Sequence, residues 1–236
     1  MAQWFGSMET PRYTTTLIKK ETPARDILVL QFKKSDGFIF QAGQFVQFEI
    51  PVPGGAPVLR PYSISSAPAD IYLEFCVKLV PKGIASHHFN HMALGDEITF
   101  QGPRGFFVVK EQVSSFYIAT GAGIAPIMGM IRDELENKNS SQPIHVLFGV
   151  RCEEDIFWAE RCEKLKKKFS NFTFQITLSQ PSAMWKGRKG RVSAHLPGAV
   201  TGKHYFICGG AEMVKDVRAY LLARGVPMPY VHIEIF

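Results

Sequence analysis

The sequence predicts two domains in tandem: an antiparallel β-barrel over residues 10–110, then a parallel-sheet α/β domain over residues 111–236. Two observations carry this expectation. Before residue 110, runs rich in β-branched and aromatic residues are broken at short intervals by Gly and Pro, the texture of an antiparallel barrel or sandwich. After residue 114, apolar strands alternate with helical segments, which implies a parallel sheet covered on both faces. The texture changes across residues 109–114, and the boundary is expected there.

In order, strands are expected over 13–18, 27–32, 45–50, 71–77 and 97–100, with Arg60-Pro61-Tyr62-Ser63 between a loop and the strand over 71–77. Gly37, Pro51 to Gly55, Pro68, Pro81 and Gly102-Pro103 punctuate them. Residues 84–92 lack Gly and Pro and read as a short helix. In the second domain, 115–119 is an apolar strand, 121–125 a glycine-rich turn and 126–135 a helix with Pro126 in its first turn, where proline is tolerated. A strand over 144–150, a helix over 156–169, strands over 173–178 and 204–208 and a helix over 212–223 ended by Gly225 complete the pattern.

Bulk properties narrow the function. With 236 residues, 46% hydrophobic and 20% charged, the chain has the composition of a globular protein long enough for one large domain or two ordinary ones, and its 19 Phe assign much of the core to aromatic packing. The net charge of +6 suits acidic partners or phosphate ligands. The lysines form no long basic tract, which argues against nucleic acid, and the densest cluster, Lys164 with Lys166, Lys167 and Lys168, reads as the wet side of a helix. Cys76, Cys152, Cys162 and Cys208 contain no C-x₄-C-x₂-C run, so no plant-type iron–sulfur cluster is expected, and free thiols of a cytoplasmic protein are the reading. No apolar run approaches the ~18 residues of a membrane span. Residues 1–7 are too short and uncharged for a signal peptide, and Gly6-Ser7-Met8 reads as a cloning remnant ahead of a start at Met8.

Several short segments carry chemistry. Arg60-Pro61-Tyr62-Ser63 combines a phosphate-clamping guanidinium, a flat ring and a hydroxyl, which together suit a flavin nucleotide. Lys82-Gly83-Ile84-Ala85-Ser86 could present free amides to a phosphate at the start of the short helix, although an ordinary cap has the same look. Thr120-Gly121-Ala122-Gly123-Ile124-Ala125-Pro126 follows a strand and opens a helix, a G-x-G-x-x-P turn through which backbone can approach a pyrophosphate. Cys208-Gly209-Gly210 clears space after a strand, with a buried structural cysteine as the plain alternative. In Ile233-Glu234-Ile235-Phe236, alternation puts Glu234 and Phe236 on one face. His87 and His91 lack a third ligand, so no metal site is expected.

Taken in order, these segments, together with Gly102-Pro103-Arg104-Gly105 and Phe148-Gly149-Val150-Arg151 with Asp155, resemble the ferredoxin–NADP⁺ reductase superfamily, which includes reductase components of bacterial oxygenases and cytochrome b5 reductase. The resemblance runs from about residue 12 to Phe236. It implies a flavin-binding β-barrel and a nicotinamide-nucleotide domain. Arg60 would bind flavin phosphate, Tyr62 would lie on the isoalloxazine beside Pro61, and Ser63 would bond near flavin N5. The turn from Lys82 through Gly83, Ile84 and Ala85 to Ser86 would hold the pyrophosphate of FAD. Thr120, Gly121, Ala122, Gly123 and Pro126 would receive the nicotinamide nucleotide, with Arg151, Ser179 and Arg188 toward its far end and Gly209 and Gly210 beside it. Cys208 and Glu234 would face Ser63 where hydride passes, and Phe236 would cover the flavin, so Ser63, Cys208, Glu234 and Phe236 are the expected catalytic set.

The implied function is transfer of a hydride between NAD(P)H and FAD, with electrons passed on to a separate, acidic protein such as ferredoxin or flavodoxin, or to an oxygenase component. Relatives selective for NADPH often carry Ser-Arg where this chain has Ser179-Gln180; Lys186, Arg188, Lys189 and Arg191 downstream oppose the inference, but NADH is the favoured coenzyme of the two. The alternatives are a cofactor-binding regulatory or electron-transfer subunit of a larger redox complex and a free-flavin reductase.

Overall fold

The structure, a computed structural model, describes residues 10–236; the 1–7 segment read above as a remnant lies outside the described residues. The first domain contains β1 (Arg12–Ala24), β2 (Ile27–Lys33), β3 (Phe45–Ile50), β4 (Val58–Ser63), β5 (Tyr72–Lys78), α1 (Ile84–His91) and β6 (Glu97–Arg104). Its strands form an antiparallel sheet in the order β4-β3-β6-β1-β2-β5. An Ile64–Phe75 bridge and a 2.8 Å bond from Ser65 N–H to the Glu74 carbonyl join β4 to β5 and close the barrel. Alternation along β3 sends Val46, Phe48 and Ile50 inward. There Phe48 meets Phe75, Phe89 and Phe100 edge to face at 4.9, 5.3 and 5.9 Å, each pair contributing about 0.5–1.5 kcal/mol beyond its buried area.

One strand differs from expectation. Arg60-Pro61-Tyr62-Ser63 is not the end of a loop but forms the last four of the six residues of β4. Proline masks the signal because it cannot donate to a ladder. Pro61 is accommodated because β4 has a ladder only with β3, so its other side asks for no N–H.

The second domain contains β7 (Ser115–Thr120), α2 (Ile124–Arg132), β8 (Ile144–Val150), α3 (Ala159–Lys168), β9 (Phe172–Leu178), β10 (Arg188–Lys189), β11 (His204–Gly209), α4 (Ala211–Ala223) and β12 (Val231–Ile235). All six strands are parallel, in the order β10-β9-β8-β7-β11-β12. The helix expected from residue 126 begins at Ile124 and runs into a π-helical turn, Asp133–Asn137. The helix expected from residue 156 begins only at Ala159, because Trp158 sits at φ 58°, a left-handed conformation that no right-handed helix can contain.

The domains share a core. Every residue of α2 from Ile124 to Ile131 is buried. Val29, Ala42 and Cys76 of the first domain belong to the same apolar cluster as Ile127, Met130 and Phe206. Gly129 lies so close to the β4–β5 connection that a Cβ there would stand 3.0 Å from the Ser66 carbonyl oxygen. Arg132 grips Asp70 through two bonds of 2.6 and 3.0 Å, and Arg161 reaches the buried Glu74 at 2.7 Å. No helix among the described residues is long and apolar enough to cross a membrane.

Candidate functional site

The C-terminal ends of the parallel strands meet the barrel at the end of β4. β7 delivers Thr120 to the glycine turn, where Gly121 takes φ 53°. Gly123 must lack a side chain, since a Cβ would collide with the Cys208 carbonyl at the end of β11. Gly209, at φ 151°, lies against the Thr120 hydroxyl in the same way. Ala122 is half-buried and Pro126 is buried in the first turn of α2. Gly210 caps α4 and accepts from Val214 N–H at 3.1 Å. The two glycine turns thus pack backbone against backbone.

Beside them, the Ser63 hydroxyl donates to Glu234 Oε1 at 2.8 Å, across 171 residues of sequence. Cys208 is paired in register with Glu234, and paired residues of adjacent strands share a face. Burial pushes the Cys208 thiol far up, and the Glu234 carboxylate adds to the effect, so it stays a neutral thiol near pH 7. Burial also raises Glu234, opposed by the Ser63 hydrogen bond. Phe236 N–H donates to the Gly209 carbonyl at 3.1 Å, and the residue is 53% exposed.

On β4, the Arg60 guanidinium is exposed and bonds only the Leu59 carbonyl at 2.9 Å, with no carboxylate partner among the described residues. Tyr62 packs edge-on to Phe89 of α1 at 5.2 Å, and burial pushes its phenol up to about 12. The same helix starts at Gly83 without a side-chain cap. The amides of Ile84, Ala85 and Ser86 therefore have no partner within the helix. The Ser86 hydroxyl accepts from Val80 N–H at 2.8 Å, which leaves both its O–H and its amide to donate. A cavity of about 580 Å³ opens beside this turn, lined by Pro51, Val52, Pro53, Lys82, Gly83 and Ile84 among others.

At the far end, Val150, Leu178 and Lys189 align across β8, β9 and β10. Ser179 N–H donates to the Val150 carbonyl at 3.1 Å and Gln180 N–H to the Arg151 carbonyl at 2.7 Å, bringing these four residues together. Arg188 lies beside Thr177 and donates to His195 Nδ1 at 3.4 Å. None of Arg151, Lys186, Arg188, Lys189 or Arg191 forms an ion pair among the described residues. The strand β10 was not anticipated, because two cationic residues carry no periodicity.

A barrel with an unpaired arginine on its edge strand, joined to a parallel sheet with a glycine-rich first turn, defines a two-domain flavin- and nicotinamide-dependent oxidoreductase. The family model for the oxidoreductase FAD-binding domain matches residues 14–109 and that for the oxidoreductase NAD-binding domain residues 117–219. The chain belongs to the ferredoxin–NADP⁺ reductase superfamily. It is 36% identical over 222 residues to ferredoxin–NADP reductase B of Sorangium cellulosum, covering 87% of this chain and 89% of the relative. It is 30% identical to the ferredoxin–NAD(P)⁺ reductase component of the naphthalene 1,2-dioxygenase/salicylate 5-hydroxylase systems of a Ralstonia species, covering 94% of this chain and 68% of the relative. A cytochrome P450 reductase of Amycolatopsis superposes with a TM-score of 0.85 at 26% identity, over 98% of this chain and 72% of that one.

The chain is an NAD(P)H-dependent flavoprotein oxidoreductase whose cofactor is FAD. The residues present fit that group: an unpaired Arg60, a capless helix start and a cavity beside it supply charge, amides and room. Two contacts that support the site were not anticipated, Asp70–Arg132 and Glu74–Arg161, since nothing local in sequence pairs residues 62 and 87 positions apart.

Proposed function

We propose that this chain passes a hydride from a nicotinamide coenzyme to FAD and delivers the electrons to a separate acceptor protein, a ferredoxin, a flavodoxin or an oxygenase component. The carrying observation is the Ser63–Glu234 hydrogen bond, which joins the barrel to the nucleotide domain beside Cys208. In this reading residues 10–110 hold FAD, with Arg60 on its phosphate, Tyr62 on its ring and Gly83 to Ser86 on its pyrophosphate. Residues 111–236 hold the coenzyme, with Gly121 and Gly123 at its pyrophosphate. Bound FAD supplies a hydride acceptor that can release electrons singly. The protein's part is orientation. Ser63, held by Glu234, offers its hydroxyl at a fixed position, and the neutral Cys208 thiol lines the place proposed for the coenzyme ring without adding charge. Phe236, half exposed and bonded to Gly209 through its backbone N–H, would swing aside to make room for the coenzyme.

The coenzyme reading rests on charge. Gln180 removes the arginine that would favour a 2′-phosphate. Yet Arg151, Arg188 and Lys189 surround the end of β9, and the Glu153 carboxylate, which feels the charge of Lys189, is held by Ser182 N–H and hydroxyl at 3.0 and 2.6 Å. Cations without carboxylate partners suit a 2′-phosphate, so NADPH is the proposed reductant. All four cysteines are free thiols, which supports a cytoplasmic setting. The net charge of +6 supports an acidic acceptor. Anaerobic rapid mixing of the FAD-loaded protein with NADPH and with NADH tests the proposal. Flavin bleaching by NADPH at the lower coenzyme concentration is expected. Bleaching by neither would leave only a regulatory subunit.

A further inference from the structure

A run of stacked rings crosses the face of the parallel sheet. Tyr117 stacks on Phe206 at 5.0 Å, Phe206 on His232 at 4.5 Å, His232 on His204 at 5.3 Å and His204 on Tyr230 at 4.7 Å, with interplanar angles of 13–28°. Within it, His232 Nε2 and His204 Nδ1 approach to 3.2 Å, a hydrogen bond in which one imidazole donates and the other accepts. His204 opens β11 and His232 lies two residues before Glu234 on β12. Alternation puts His204, Phe206 and Cys208 on one face of β11 and His232 and Glu234 on the matching face of β12. β12 is the last strand of the sheet, with a ladder only to β11.

We propose that the His204–His232 pair is a pH-dependent positioning element for Glu234, holding β12 in register on β11 until both imidazoles are protonated. One extra proton leaves an N–H⁺···N bond in place. A second aims two donors at each other and puts two like charges into the stack, and β12 has no other strand to hold it. Glu234 then loses its fixed approach to Ser63.

The surrounding groups set the range. Lys110 faces His232 and opposes its protonation, while Glu111 faces His204 and favours it. Tyr230 stacks on His204, and Phe206 and Tyr117, both buried, bring no charge. Burial lowers both histidines, and His204 and Lys110 lower His232 further. Release therefore belongs below the ordinary histidine value of about 6.5. The sign agrees: with both groups depressed in the fold, the unfolded chain binds more protons as pH falls, so the stabilisation is complete above about 6.5 and fades below it.

The consequence for hydride transfer rests on the proposed function, but the primary readout does not. Hydrogen exchange of the β12 amides in the FAD-loaded protein, corrected for intrinsic rates, is compared at pH 7.5 and 5.5. Protection is expected to fall about tenfold or more in the native chain, from repulsion of two charges about one ring stack apart. It should stay within about twofold in His204→Gln, which keeps a neutral hydrogen-bonding side chain. His232→Gln serves the same purpose should His204→Gln fail to retain FAD. The acid limb of flavin reduction should become less steep in parallel, keeping the part that follows Glu234. Unchanged native protection overturns the inference, as does an equal fall in the glutamine variants, which would assign the acid response to Glu234 itself. Loss of turnover with an intact exchange pattern would count against the proposed function and leave this inference standing.

Discussion

Replacing Ser63 by alanine removes one hydroxyl and nothing else of size. Ser63 is 4% exposed, so no water takes the place of its 2.8 Å bond to Glu234 without a rearrangement. A hydrogen bond to a charged group contributes about 1.5–3 kcal/mol, which bounds the loss at ten- to roughly hundredfold in whichever equilibrium or rate depends on it. The bond opposes the rise that burial forces on Glu234, so its removal drives that carboxyl further up. A carboxyl raised in the fold lets the native state bind more protons, so stability falls as pH rises through the window above its ordinary value of 4.5. The variant's stability deficit is therefore complete well above the folded value and vanishes in acid, where Glu234 is protonated in both proteins. Single-turnover reduction of the flavin by NADPH across pH 5–9, with melting curves over the same range, reads both effects. The expected result is a reduction slowed by at least about tenfold at neutral pH, with the acid limb moved to higher pH. A Ser63→Ala protein with native rates and an unmoved acid limb would refute the reasoning. It would mean that the bond is equally strong in ground and transition states and only ties the domains together.

Three further outcomes follow from the same geometry. Arg60→Ala should weaken FAD binding about tenfold, less than a buried contact because the guanidinium is exposed, and a fluorescence titration at two salt concentrations should show the native advantage shrinking with salt. Cys208→Ala should slow flavin reduction while FAD stays bound, with no change in pH dependence between pH 6 and 9, because the thiol does not ionise there; stopped-flow traces over that range check it. Gly123→Ala should lower stability by about 2–4 kcal/mol, read as a lower melting temperature, because the new methyl meets backbone of Cys208 and Gly209 that cannot rotate away.

Much of this fold was legible locally. The alternation that makes β3 and the apolar runs of β7, β8 and β11 are properties of six or seven neighbouring residues, and glycine at 121 and 123 announces a turn that only small residues can make. β4 was hidden because proline sits inside it, and the late start of α3 was hidden because Trp158 carries no sign in sequence that it will turn left-handed. The ordered resemblance to a family pointed to Ser63 and Glu234 facing one another. Neither the ion pairs of Arg132 and Arg161 nor the His204–His232 contact could be anticipated. Each is a meeting of side chains that only the finished packing brings within reach, and any of those residues in isolation reads as an ordinary surface group.

The burial of α2 has a thermodynamic meaning. Its residues Ile127 and Met130 lie in one apolar cluster with Val29, Ala42 and Cys76 of the other domain, and Gly129 sits on the barrel's own backbone. A core shared across the line that divides the two topologies implies one cooperative unit. Separated at residues 110–111, each half would present to water a surface built for contact with the other. Heating should melt barrel and nucleotide domain in a single transition, so a coenzyme bound to one half steadies the flavin site in the other through the melting equilibrium as well as by contact.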